Sequence, residues 1–162
     1  MNQQEILVKL VLDAWNNAIS RTDTLINSLT DEELACEASP GRNRGIYLLG
    51  HLAAVHDKMI PVLNLGERLY PHLDAPFLDN PDRTVSDIPP AADLRVFWRE
   101  VNTVLARQIA TLSADDWFKK HNAVSEENFV KQPHRNRLNI MVSRINHVCE
   151  HLGQMLYLKQ QH

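Results

Sequence analysis

Apolar residues recur along most of this chain at intervals of three and four. That spacing lines side chains up on one face of an α-helix. Residues 3–29 show it first, with Ile6, Leu10, Ala14, Trp15, Ala18, Leu25 and Leu29 forming a stripe. Residues 45–63 repeat it, interrupted late by Pro61. A third segment, 91–112, opens after Pro89-Pro90, where proline suits a helix start. A fourth, 136–160, follows Pro133. Glycine is scarce and β-branched residues do not cluster in alternating runs, so nothing predicts a sheet. The pattern predicts an all-α fold with four long helices.

Between the second and third segments lies a long connection, residues 64–90, holding Pro71, Pro76, Pro81, Pro89 and Pro90. A connection of that length crosses a helical bundle or lines a site. Leu69, Tyr70, Leu73, Phe77 and Leu78 make it too apolar for a free linker, so it should pack down. The chain also echoes itself. The first helix ends in Ser28-Leu29-Thr30-Asp31-Glu32-Glu33, and Thr30 with Glu33 makes a capping box. The third ends in Thr111-Leu112-Ser113-Ala114-Asp115-Asp116. Asn43-Arg44 precedes the second long helix and Asn136-Arg137 opens the fourth. This reads as two copies of long helix, short capped helix, long helix, unless common capping signals coincide by chance.

Composition narrows the picture a little. A length of 162 residues suits one domain spanning 1–162 with a proper core. Net charge is −3 and no basic stripe stands out, so nucleic acid is not expected as a partner. The start, Met1-Asn2-Gln3-Gln4-Glu5, lacks the basic region of a signal peptide. The run from Ile6 to Leu12 is far too short for a membrane span. With only Cys36 and Cys149, no disulfide framework is expected, and the reading is a cytoplasmic protein.

Histidines carry the candidate chemistry. His147 and His151 are four residues apart, one turn on the same side of the fourth helix. The main stripe of that helix is Leu138, Met141, Ile145, Val148, Leu152 and Leu156. The two histidines lie roughly 140° and 100° from its centre, beside a second apolar strip of Ile140, Met155 and Leu158. A helix apolar on two sides has neighbours on both. His51, on the second helix with Tyr47, Ala54, Val55 and Lys58, can complete a three-histidine site with an open coordination position. His56, five residues on, points about 140° away and reads as a polar-face residue near Asp57. Cys149 reads as a small core residue on the far side of the fourth helix. His72, His121, His134 and His162 read as surface residues. No E-x-x-H pair supports a di-iron bundle. His147-Val148-Cys149-Glu150-His151 fits H-x-x-E-H, but the chain ends too soon for that protease fold to find its third ligand.

Two strings carry a resemblance. Tyr47-Leu48-Leu49-Gly50-His51-Leu52 and the C-terminal His147-x-x-x-His151-x-Gly153-Gln154 resemble the DinB/YfiT-like superfamily, in helix order and motif position over nearly the whole chain. The resemblance implies a four-helix bundle of up-down-down-up topology, a homodimer, and a divalent metal, zinc or nickel, on His51, His147 and His151. It implies a metal-dependent hydrolase, or a transferase or isomerase using a low-molecular-weight thiol, acting on a small molecule that it leaves unnamed. A non-catalytic metal-binding or stress-related bundle is the alternative. Gln154 is placed to orient a ligand imidazole from outside the coordination shell. No catalytic residue is assigned, and Tyr47, Arg144 and Glu150 are the candidates. Tyr47 offers a hydroxyl one turn before His51. Glu150 is a proton shuttle or a solvated glutamate. Arg144 holds an anionic substrate or, more ordinarily, an ion pair. Tyr70, His72 and Phe77 form a rim or simply close the bundle.

Overall fold

The computed structural model describes residues 1–160. In chain order the helices are α1 (Gln3–Ser28), α2 (Asp31–Ala35), α3 (Gly45–Val62), α4 (Asp74–Phe77), α5 (Ala91–Ile109), α6 (Ala114–Trp117), α7 (Glu126–Lys131) and α8 (Arg137–Leu156). Tight 3₁₀ turns occupy Pro71–Leu73 and Tyr157–Gln160. No strand occurs among the described residues, only the isolated bridges Glu37 to Arg44 and Lys120 to Asn136. None of the described helices is long and apolar enough to cross a membrane. The long helices α1 and α8 pack together, as do α3 and α5, and α3 also meets α8.

Caps set the boundaries. Asn2 with Glu5, Thr30 with Glu33, and Ser113 with Asp116 each form a reciprocal capping box, each cap worth about 1 kcal/mol. Leu29 turns extended after α1 so that Thr30 can cap α2, which ends α1 at Ser28. The echo in the sequence has a structural counterpart. Arg44, the N-cap of α3, bridges Glu37, and the Gly45 N–H donates to the Cys36 carbonyl. Asn136, the N-cap of α8, bridges Lys120, and the Arg137 N–H donates to the Lys119 carbonyl. Cys36 stands six residues past the Thr30 cap, and Lys119 six past the Ser113 cap. The same local device therefore sets the start of α3 and of α8.

The packed stripe on α1 differs from the predicted one. Val8, Trp15, Ala18, Thr22, Leu25 and Leu29 face the core, while Ile6, Leu7 and Leu10 stand exposed. Leu156, at the end of the predicted stripe of α8, is exposed as well. Pro61 does not interrupt α3, because the helix ends only one residue later, at Val62. There Asn122 donates to the carbonyls of Pro61 and Val62 and covers that end.

Three histidine and cysteine readings are corrected here. His56 is fully buried, because its side of α3 packs against Trp15 and Trp98, and Leu52, Ala53, Met59 and Ile60 are buried too. His121 is buried because the Asn122 loop folds onto the end of α3, and its Nδ1 accepts the Ala123 N–H. Cys149 is exposed, since the side of α8 opposite the histidines faces solvent rather than core. His72 and His134 are exposed as expected, and His162 lies outside the described residues.

The crossover packs down, and α3 holds it at both ends. Arg44 forks onto Asp82 at 2.6 Å and Tyr47 donates its hydroxyl to the Asn80 carbonyl. At the other end, the buried Asp57 carboxylate accepts the N–H groups of Leu69 and Tyr70 and the Nε of Arg68. Arg68 reaches on to Asp74 with two further bonds. Leu73, Pro76 and Phe77 are buried beneath this frame.

Candidate metal centre

His51 leaves α3 toward α8, and His147 and His151 leave α8 toward α3. Their Nε2 atoms converge: His51 lies 3.0 Å and His151 3.1 Å from the Nε2 of His147. Among the described residues this is the one group of His, Cys, Asp or Glu able to share a metal ion. The outer nitrogens decide what the inner ones carry. The Nδ1 of His51 sits 2.8 Å from the Phe77 carbonyl, and that of His151 sits 2.9 Å from Gln154 Oε1. Both partners only accept, so each Nδ1 holds the proton and each Nε2 presents a lone pair. His147 alone has an uncommitted tautomer, its Nδ1 being buried without a partner.

This arrangement fits a cation. One proton on the His147 Nε2 serves one of the two close contacts and leaves the other histidine's lone pair without a donor of its own. A divalent ion at the centre satisfies all three nitrogens. Zinc–nitrogen bonds of ~2.0–2.1 Å set tetrahedral donors roughly 3.3 Å apart, close to the spacing seen. Neutral imidazole suits zinc and nickel alike. Burial is the main cause that lowers the pKa of His51 and takes His147 down to about 3, with the neighbouring imidazoles and Arg144 adding to it. These two rings are therefore neutral at physiological pH, the form that can donate to a metal ion.

The crossover builds one wall of the site through its backbone. A Cβ at position 50 would come within 2.4 Å of the Phe77 ring. Glycine there lets Phe77 lie flat on α3, which brings its carbonyl onto His51. Sequence reasoning had no side-chain signal for a carbonyl ligand-orienter. The glycine immediately before His51 was the available clue.

Of the other candidates, Gln154 contacts His151 of the cluster. The Tyr47 hydroxyl is engaged by Asn80, although its ring stacks on His51 at 6.2 Å. Glu150 is exposed and lines a cavity of about 810 Å³ with Arg42, Asn43, Gly153 and Gln154. Gln154 places that cavity on the Nδ1 side of His151. Arg144 is half-buried and forms no ion pair or hydrogen bond among the described residues. Tyr70 and His72 pack against Phe97 of α5, and Tyr70 hydrogen-bonds Glu100. Of the three residues expected at a rim, Phe77 alone reaches the histidines.

Comparison with known proteins agrees with this architecture. The family model for the DinB superfamily matches residues 14–155, a span that holds all three histidines and Gln154. A solved structure, that of a conserved protein from Enterococcus faecalis, resembles this one over 99% of this chain and 96% of its own. The TM-score is 0.63 and the sequence identity 18%, a likeness of fold. Among curated proteins no match is found. On the family match the chain belongs to the DinB superfamily.

Proposed function

We propose that His51, His147 and His151 hold one divalent metal ion, zinc or nickel, and that the protein is a metal-dependent enzyme acting on a small molecule. The reaction class is hydrolysis or transfer to a low-molecular-weight thiol. The carrying observation is the convergence of three Nε2 atoms while the outer nitrogens of His51 and His151 are tied to acceptors. A bound ion supplies Lewis acidity, lowering the pKa of a water or thiol that reaches it. Three protein ligands, rather than four, are available among the described residues. That count suits a site with an open position better than a closed structural one.

The chain's own residues do the rest. The Phe77 carbonyl and Gln154 fix ring orientation and tautomer, and partial burial keeps solvent from protonating His51 and His147. An up-down-down-up order of α1, α3, α5 and α8 accounts for the pairing of α1 with α8 and of α3 with α5. A homodimer is part of the proposal, and the exposed apolar side chains of Ile6, Leu7 and Leu10 are surface that a second copy would cover.

The test is a panel of thiols with electrophiles, and of esters and amides, assayed with protein loaded with zinc or nickel. Turnover that disappears with a chelator and in His147→Ala is expected. Fully loaded protein inert toward every class would contradict the enzyme reading.

A further inference from the structure

A second cavity, of about 260 Å³, lies between α3, α8 and Leu78 of the crossover. Its apolar lining includes Val55, Met59, Leu78 and Ile140, with Lys58 and Arg144 as its charged members. Each wall has one lining residue next to, or one turn from, a residue of the candidate centre. Val55 follows His51 by one turn, Arg144 precedes His147 by one turn, and Leu78 adjoins Phe77, whose carbonyl holds His51.

Arg144 is the lining residue that departs from an ordinary pattern. A guanidinium taken partly out of water ordinarily finds a carboxylate or a set of carbonyls, because an unpaired buried charge is costly. Arg44 and Arg68 obey that rule, the first holding Asp82 and the second Asp57 and Asp74, whereas Arg137 at the start of α8 is buried with its Nε unpartnered, away from this cavity. Arg144 has no such partner among the described residues. Lys58, across the cavity, lies 3.6 Å from Asp74, a carboxylate that Arg68 already grips at 2.5 Å. Among the described residues the cavity thus has an apolar body, one cation without a partner on α8 and one loosely held cation on α3.

We propose that this cavity is the substrate subsite of the candidate metal centre, and that it takes a small organic anion whose carboxylate sits on Arg144 and whose short apolar body lies on Val55, Met59, Leu78 and Ile140. The proposal rests on the metal-centre reading for the word substrate, and on the cavity and Arg144 for the anion. Size limits the ligand to a few carbons, since drug-sized molecules take roughly 300–1,000 Å³. The three-residue offset from Arg144 to His147 is a rise of about 4.5 Å along α8. A planar fork matches a carboxylate with two parallel bonds, so the charged end also fixes orientation.

The test uses hexanoate and 1-hexanol as probes, titrated into the purified chain by calorimetry, metal-free and zinc-loaded, with zinc per chain counted on the same samples. Metal-free wild-type protein should bind hexanoate at least tenfold more tightly than hexanol. Arg144→Gln should abolish that preference while leaving hexanol binding unchanged. Val55→Phe, which fills the cavity and keeps the arginine, should weaken both probes. Equal binding of the two probes by the wild type, or a preference that survives Arg144→Gln, would overturn the proposal. Full zinc with no anion preference sinks the subsite alone. An Arg144-dependent preference in protein that takes up no zinc supports the anion subsite and sinks the metal reading alone.

Discussion

Two histidines on one helix, five residues apart, meet opposite fates. His51 points toward α8 and joins two other imidazoles whose lone pairs face its own. His56 points into the core between the rings of Trp15 and Trp98, at centroid distances of 5.1 and 4.8 Å, and gives its Nδ1–H to Asn102. Both rings are neutral for the same first reason, burial, which holds His51 below its ordinary value and takes His56 down to about 4. Low basicity therefore does not mark the functional one. What separates them is the direction of the lone pair. That of His51 is aimed at two more donors, while that of His56 is buried against apolar rings with no partner.

Breaking the cluster should give the largest effect. Zinc at about a thousand times its dissociation constant should stabilise the wild type by about 4 kcal/mol, since it binds the folded chain only. In His147→Ala that gain should vanish, as read by thermal unfolding with and without zinc. A retained gain would place the metal elsewhere.

Next comes the core histidine. His56→Ala leaves a cavity between two tryptophans and should cost about 3 kcal/mol, while leaving zinc binding intact. It should also flatten the acid limb. His56 has a folded-state pKa of about 4, below its unfolded value. The unfolded chain therefore binds the extra proton between those values, and stability is lost as pH falls from about 6.5 to 4, by about 3 kcal/mol from this group. His51 and His147 are lowered in the same direction, so metal-free His56→Ala should keep part of the slope. Denaturant midpoints across that range measure it, and an unchanged slope would remove His56 from the account.

Smaller still is the effect of loosening a ligand. Gln154→Ala frees the outer nitrogen of His151 and should weaken zinc by 10–100-fold, read by competition with a chelator. Unaltered affinity would make that hydrogen bond incidental. At the bottom of the scale, a Cβ on Gly153 meets nothing within 4 Å. Gly153→Ala should stabilise the chain by about 0.5–1 kcal/mol through helix propensity alone. Lost stability would show that its bare backbone serves packing.

Much of this was legible in the sequence because it is periodic or local. The four long helices follow from apolar spacing, and two of the three capping boxes were visible as Thr30 with Glu33 and Ser113 with Asp116. The ligand set came from a one-turn spacing plus the family resemblance. What was hidden depends on which faces meet. The burial of His56 requires knowing that the side of α3 away from α8 is also covered, for which the near absence of charge between Gly45 and His56 was the signal. The exposure of Cys149 requires knowing that α8 has a bare side. The Phe77 contribution is a backbone carbonyl, which carries no residue identity to read. Arg144 looked like half of an ordinary ion pair, and no helical wheel reports whether a neighbouring helix supplies the acid.

The most direct measurement of the central claim is zinc per chain, by elemental analysis of zinc-loaded, gel-filtered protein, for the wild type and for His51→Ala, His147→Ala, His151→Ala and His56→Ala. One zinc per chain in the wild type and in His56→Ala, with a small fraction in each of the other three, is the expected result. Equal zinc in all five proteins, or none in the wild type, would contradict it.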